Sequence, residues 1–283
     1  MRTRFAPAPT GYLHLGHVLN AEYVWGAARL LGAGILLRIE DHDRERSRPE
    51  FETAILDDLD WLGFTPDIFP TSAFRAGRCD GRQSDRNTLY EMAASRLRAQ
   101  GLLFGCGCTR TELATARRSS SGEVIHAGRC RELRRDAEPG LGWRVRMDDG
   151  VERFDDLRLG PQSQEPSTQC GDLLIRDRLG NWTYQFAVTV DDWLQEIDLV
   201  IRGIDLLEST GRQIRLARLL GRQSPPCFLH HGLLMKSGTQ KLSKSDRDTG
   251  VRDLRASGWI RAQVLNAARE GVIRDHLREG YDV

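Results

Sequence analysis

Two short segments hold the residue types best suited to gripping a phosphate. His14-Leu15-Gly16-His17 follows a Pro/Gly turn, FAPAPTG over residues 5–11. Lys236, Lys241 and Lys244 all fall in MKSGTQKLSKS, residues 235–245, and they are the only lysines among 41 basic residues. Lysine scattered at random over the basic positions would land on these three about once in ten thousand times. An imidazole can donate a hydrogen bond to a phosphate oxygen. Lysine is a compact charge on a flexible stem that can follow a phosphate through a reaction, whereas arginine is a rigid planar fork. A third set, Cys106, Cys108, His126 and Cys130, offers the thiolates and imidazole of a tetrahedral structural zinc site, as CxC and HxxxC pairs across a 17-residue loop. Taken singly, an HxGH arises by chance in many chains and a lone histidine is an ordinary turn residue; the joint occurrence of the first two segments carries the argument.

Hydrophobic periodicity gives the elements that would position these groups. Residues 2–6 read as a short strand, and after the turn a helix is expected from about 16 to 31, closed by Gly32. GILLRIED is the unbroken apolar run of a buried parallel strand, so the chain opens β-α-β. HLGH then lies where a first parallel strand turns into its helix, and there the backbone N–H groups and the helix dipole favour an anion. Ser47 and Pro49 mark a helix start, with Phe51, Ile55, Leu59 and Leu62 at helical spacing and Gly63 at the end. A helix over about 86–100 puts Leu89, Met92, Ala93 and Leu97 on one face. From 105 to about 170, cysteines, arginines and RRSSSGE with weak periodicity indicate an excursion from the main domain. DLLIRD, WTYQFAVTV and DLVIRG then read as strands, 206–220 as a helix ending at Gly221, CFLHH as a strand and the last segment, from about 251, as helical. This return of regular elements implies the first sheet resumed.

Composition narrows the class. A chain of 283 residues with 40% hydrophobic content can bury the core of one large domain, or of a domain carrying an insertion. MRTRFAPAPTG has no apolar run of signal-peptide length, and no stretch approaches the roughly 18 apolar residues of a membrane span, so a cytoplasmic protein without membrane association is expected. Six cysteines are too few and too uneven for a disulfide scaffold; Cys79, Cys170 and Cys227 read as ordinary small residues. A net charge of +1 requires any polyanion to be met by local patches.

HLGH after the first strand, paired with Lys241-Leu242-Ser243-Lys244-Ser245 after the last, resembles the signatures of the class I aminoacyl-tRNA synthetases. That resemblance implies a Rossmann-like parallel sheet in an α/β catalytic domain, with the two signatures bracketing ATP and Mg²⁺ on the departing pyrophosphate. It implies Thr10, His14, Gly16, His17 and Lys244 at ATP, with His14, His17, Lys241 and Lys244 acting on the phosphates. RFAPAPTG, RIEDHD, WTYQFAVTVDD and VIRGIDLL sharpen the likeness to the glutamyl branch, which implies that Arg4, Ala6, Ala8, Glu40, Tyr184 and Arg202 line the amino-acid pocket. The residue types agree with such a substrate: two carboxylates and one ammonium call for two cations and one anion. Ala8 stands where the resembling family has serine, so one hydroxyl contact is missing.

Only 38 residues follow Ser245, too few for an anticodon-binding domain. The chain therefore looks like the glutamyl-queuosine tRNA(Asp) synthetase family, a glutamyl core without its anticodon reader. The resemblance implies activation of L-glutamate by ATP without tRNA, then its transfer to the queuosine at the wobble position of tRNA(Asp). It also gives a site of form CxC…YxxxC, in which His126 stands at the tyrosine position. The expected organisation is a catalytic domain of 1–104 and 171–224, a zinc-bearing acceptor-type insertion of 105–170, and a 225–283 region with the lysine segment and a helical stem-contact tail, as a monomer. Three readings compete: a minimal glutamyl-tRNA synthetase charging an acceptor end, a pantothenate-synthetase-like adenylate former, and a noncatalytic paralogue. Charging assays, glutamate-dependent pyrophosphate exchange and the intact lysine segment, respectively, discriminate them.

Overall fold

The computed structural model describes residues 1–119, 122–133, 135–237, 240–241 and 250–276. The chain opens with β1 (Arg2–Phe5), α1 (Leu15–Leu31), β2 (Gly34–Leu37), α2 (Pro49–Leu62), α3 (Thr71–Arg75) and α4 (Asn87–Ala99). Then follow β3 (Leu103–Cys106), α5 (Arg110–Ala114), α6 (Arg129–Glu132), β4 (Gly142–Val145), β5 (Glu152–Asp156), β6 (Gly160–Gln164), α7 (Pro166–Cys170) and β7 (Leu173–Arg176). The last part holds α8 (Tyr184–Leu194), β8 (Leu199–Gly203), α9 (Thr210–Leu220), β9 (Cys227–His231), β10 (Met235–Ser237), β11 (Gln240–Lys241), α10 (Val251–Ala256) and α11 (Arg261–His276). The fold is mixed α/β with a mostly parallel central sheet, and it divides into two compact units: Met1–Asp85, Asp198–Asp205 and Phe228–Val283 in one, Arg86–Ile197 and Leu206–Cys227 in the other.

In the first unit the strands lie in the order β2-β1-β8-β9, with β1 parallel to both β2 and β8. Arg2–Phe5 align with Gly34–Leu37, and Thr3 aligns with Leu199. Apolar residues fill both faces of β2, as the unbroken run requires, and Val18, Leu19, Ala21, Val24 and Ala28 turn one face of α1 inward. Gly32 and Gly63 close α1 and α2 in the left-handed conformation. Strand β1 thus has a parallel neighbour on each side, one near and one distant in sequence, and the crevice beyond its C-terminal end is the ordinary ligand site of such sheets.

The second unit holds a three-stranded antiparallel sheet, β3-β4-β7, and the β5–β6 hairpin. Its core gathers Tyr90, Leu97, Trp143, Trp182, Phe186, Leu216 and Leu220 among others. Three expectations are corrected here. DLLIRD is a strand, β7, but it pairs with β4 and not with the first sheet. WTYQFAVTV is no strand: residues from Tyr184 onward form α8, in which Phe186 through Asp192 are all buried. Aromatic and β-branched residues raise strand propensity, but a segment enclosed by core has no exposed face to write an alternation, and tertiary packing decides. Met92, placed on the inner face of α4, is 63% exposed, while Tyr90, Ala93, Ala94 and Leu97 face inward.

Candidate functional site

The histidine segment of the first unit is built on the start of α1. His14 is the residue before the helix, and its Nδ1 accepts from the backbone N–H of Gly16 at 3.1 Å. The backbone N–H of His14 in turn donates to Nδ1 of His17 at 3.1 Å, and the two rings lie 4.0 Å apart. This reciprocal cap satisfies two of the donors orphaned at any helix start. It has a chemical consequence: with Nδ1 accepting in both rings, each neutral imidazole carries its proton on Nε2. Gly16 is required by contact, since a Cβ there would meet the His14 ring at 2.9 Å. Thr10 sits in the preceding tight turn, its N–H bonded to the Ala8 carbonyl at 2.8 Å.

Lys244, with the rest of 242–249, lies outside the described residues. The chain around it is informative nonetheless. Lys241 ends β11, where it pairs with Met235, and at Gly250 the chain forms an antiparallel bridge to His14. The Val251 N–H donates to the Leu13 carbonyl at 2.7 Å, and Arg252 lies over the Tyr12 ring at 4.4 Å. The chain beyond the lysine segment is thus tied, at Gly250 and Val251, to the histidine segment near the start of the chain.

Beside this segment the sheet brings three charged groups to neighbouring strand termini. Arg4, Glu40 and Arg202 are 4%, 6% and 4% exposed, so each needs partners, because burying an unpaired charge is prohibitive. Arg4 closes on β8 through a hydrogen bond to the Ile201 carbonyl at 3.1 Å. Glu40 lies just past β2, and its N–H bonds at 3.0 Å to the carbonyl of Pro7, the residue between Ala6 and Ala8, both half-buried. The Glu40 carboxylate is held by Arg38, whose Nη2 and Nε lie 3.0 and 3.3 Å from one of its oxygens. Arg202 donates from Nε to Nε2 of His230 at 3.0 Å. Tyr184 opens α8 in the second unit and is half-buried. Sequence reasoning missed Arg38 and His230, although Arg38 stands two residues from Glu40 in an extended run and must share its face.

The metal-type cluster belongs to the second unit. Cys106 ends β3, Cys130 is in α6, and Cys108 and His126 lie on the adjoining loops; Cys106, His126 and Cys130 are buried. The Nε2 of His126 is 3.4 Å from the Cys106 sulfur and 3.7 Å from that of Cys108, while Cys108–Cys130 and Cys106–Cys130 are 3.4 and 3.7 Å apart. A tetrahedral ion with metal–sulfur bonds of about 2.3 Å and a metal–nitrogen bond of about 2.0 Å needs donor spacings of roughly 3.5–3.8 Å, so this set could hold zinc. The Nδ1 of His126 is bonded to Asp172 at 2.9 Å, which aims Nε2 at the sulfurs. Asp172, itself bonded to Arg131, was not singled out from sequence. Gly171 makes the approach possible, because a Cβ there would lie 2.2 Å from the His126 carbonyl oxygen.

Electrostatics prepare these donors. Burial pushes the Cys106 thiol up, yet the His126 hydrogen bond, the Cys108 N–H and Arg144 outweigh it and lower it to about 5. Cys108 is pushed up to about 12 by burial and by the neighbouring sulfurs. Burial opposes charge on His126, but Asp172 and Cys106 raise it to about 9. Burial also raises Asp172, and its bonds to His126 and Arg131 reverse this, leaving it below the usual carboxylate range. A divalent cation would bind this set by displacing protons from its thiols and imidazole.

The catalytic-domain family model for tRNA synthetases class I (E and Q) matches residues 1–279. A glutamyl-Q tRNA(Asp) synthetase of Burkholderia cenocepacia is 39% identical over 280 residues, covering 97% of this chain and 89% of its own. Glutamate–tRNA ligase 2 of Syntrophus aciditrophicus is 38% identical over 275 residues, and the chain spans 56% of its length. The crystal structure of a glutamate tRNA ligase from Elizabethkingia meningosepticum, in complex with its amino acid, superposes with a TM-score of 0.70 at 30% identity, over 88% of this chain and 52% of that one. Among the described residues no helix is long and apolar enough to cross a membrane.

Proposed function

From the premise that this chain belongs to the class I tRNA synthetases for E and Q, and so carries a ligase's catalytic domain, we propose that it joins L-glutamate to the queuosine of tRNA(Asp). The observation that carries the reading is the likeness to a glutamyl-Q tRNA(Asp) synthetase along 97% of this chain and 89% of the relative. The buried charges support it. Arg4 and Arg202 supply cations for the two carboxylates of glutamate, Glu40 supplies the anion for its ammonium, and Tyr184 adds a phenolic donor. Charged hydrogen bonds of about 1.5–3 kcal/mol each would reject a neutral side chain. Ala6 and Ala8 bring backbone close without bulk.

In the first step a carboxylate oxygen of glutamate attacks the α-phosphorus of ATP, forming the acyl–phosphate bond as the bond to pyrophosphate breaks. His14 and His17 donate from Nε2 to phosphate oxygens, Gly16 leaves the backbone accessible, Thr10 flanks the nucleotide, and Lys241 and Lys244 follow the leaving charge. Mg²⁺ enters with ATP as part of the substrate. No tRNA is needed for this step. In the second, a cyclopentene-diol hydroxyl of queuosine attacks the mixed anhydride, forming the ester and releasing AMP. Cys106, Cys108, His126 and Cys130 would hold a structural zinc, which braces the loops that bear them. The protein acts as a cytoplasmic monomer, where ATP, glutamate and tRNA are found together.

The test is mass spectrometry of anticodon nucleosides after incubating the protein with ATP, glutamate and queuosine-containing tRNA(Asp). A glutamyl mass increment on queuosine is expected, together with glutamate-dependent pyrophosphate exchange without tRNA. The likeness to a glutamate–tRNA ligase favours a second reading, esterification of a tRNA acceptor end. Glutamate on the 3′ end of tRNA(Glu), with queuosine untouched, would replace the first reading by the second.

A further inference from the structure

Arg202 can serve a substrate carboxylate only if its guanidinium is held in one orientation, and the strand beside it supplies the holder. Strand β9 neighbours β8 in the sheet. On β9, Phe228 and His230 stand two residues apart, so they share a face, and their rings lie 5.9 Å apart at 12°. Both meet Arg202: its guanidinium carbon is 5.5 Å from the Phe228 ring centre, and its Nε donates to Nε2 of His230 at 3.0 Å. His230 is 0% exposed. We propose that His230 is a positioning residue that fixes the Arg202 fork for an acidic amino-acid side chain, a proposal that rests on the reading of Arg202 as a carboxylate anchor.

The chemistry favours imidazole over the commoner partner. A carboxylate at position 230 would hold Nε equally well but would add a buried negative charge next to the incoming substrate carboxylate. A neutral imidazole accepts from Nε and leaves the arginine's charge uncancelled by that contact. Bonding at Nε removes rotation about the last side-chain torsions, so the terminal nitrogens face one direction, which bidentate recognition of a carboxylate requires. The Phe228 ring supports the flat face of the guanidinium against the strand. A buried donor left without its acceptor is expensive, so losing Nε2 should let the fork turn away to find another.

Calorimetric titration of the full chain with L-glutamate, and separately with ATP, tests this. His230→Leu should weaken glutamate by about tenfold or more, the scale of one buried donor left unmade, with ATP affinity kept within about twofold. His230→Gln places an oxygen near the position of Nε2 and should bind glutamate within about threefold of the parent; His230→Asn is one carbon shorter, cannot reach Nε, and should behave like the leucine variant. The Gln/Asn pair decides the matter if the leucine variant does not fold. Equal glutamate affinity in the Gln and Asn variants, or parallel losses for glutamate and ATP, would overturn the positioning role. Arg202→Ala separates the two levels: if it leaves glutamate binding intact, the anchor reading and this inference fall together. If it abolishes glutamate binding while His230→Asn does nothing, only the inference falls.

Discussion

The four donors of the metal-type cluster, His126 among them, come from one stretch of chain, Cys106 to Cys130, whereas Arg202 joins Arg4 and Glu40 from across most of the sequence. In the metal-type cluster, ligand spacing along the chain sets the geometry, and supporting groups such as Asp172 and Arg178 are brought from elsewhere. Among the buried charges, the parallel register of β1 with β2 and β8 sets the geometry. A local cluster fails as a unit when one ligand or the ion goes. An assembled pocket can lose one side chain and keep its frame, because the sheet's backbone bonds hold it.

If the cluster holds zinc, as proposed, removing it should therefore have the largest effect. Binding to such donor sets is worth about 10–16 kcal/mol in isolated peptides. Cys106→Ser or exhaustive chelation is expected to take metal content from one ion per chain to none and to lower the melting temperature by more than about 10 °C. Parent protein purified free of metal, with unchanged melting on adding zinc, would contradict this.

Arg38→Met tests the pocket's frame. It leaves the Glu40 carboxylate buried without its guanidinium, which should cost about 3–5 kcal/mol of stability in denaturant titration. The double variant Arg38→Met with Glu40→Leu should recover most of the loss. If it does not, the pair is not coupled as the geometry indicates.

Lys244→Ala probes the segment that precedes the tie of Gly250 to His14. Removing one positioned cation from a developing charge typically costs 10²–10³ in rate, about 3–4 kcal/mol, so glutamate-dependent pyrophosphate exchange should fall by roughly that factor with unaltered melting. Unchanged exchange would remove the lysine from the reaction.

The smallest effect concerns Asp58 on α2. Its carboxyl is 2% exposed, and burial chiefly raises it to about 7, against the counter-pull of Arg255 and Arg252 from α10. A raised carboxylate favours the folded state only while protonated: the contribution is fully present below the ordinary value near 4 and is lost as pH rises through about 7. Asp58→Asn should thus stabilise the protein by about 1–2 kcal/mol at pH 8 and hardly at all at pH 4, read as melting temperature against pH. An equal shift at both pH values would show that desolvation of the carboxylate is not its cause.

How much of this was legible follows from the kind of signal each feature leaves. The strand-turn-helix start was legible because GILL is unbroken and Gly32 and Gly63 mark positive-φ stops. The cysteine-histidine set was legible because its spacings are short. Helix α8 was misread, since WTYQFAVTV has strand-like composition and buries nearly every side chain, leaving no periodicity to weigh against it. Arg38 was within reach of sequence reasoning, two residues from Glu40 in an extended run, but His230 and Asp172 left no mark of their own, as a partner's identity depends on what lies across a strand or a turn.

The amino-acid sequence by itself determined which chemistries are present: imidazoles before a helix, lysines confined to one segment, thiols and a histidine at ligand spacing, arginines and a glutamate at apolar strand ends. Tertiary structure alone decided which of the distant ones meet, tying Gly250 to His14, His230 to Arg202 and Asp172 to His126. The physical reason is range. Side-chain chemistry and helix or strand stops are set within a few residues, but the partner that satisfies a buried charge is found only when the sheet register closes.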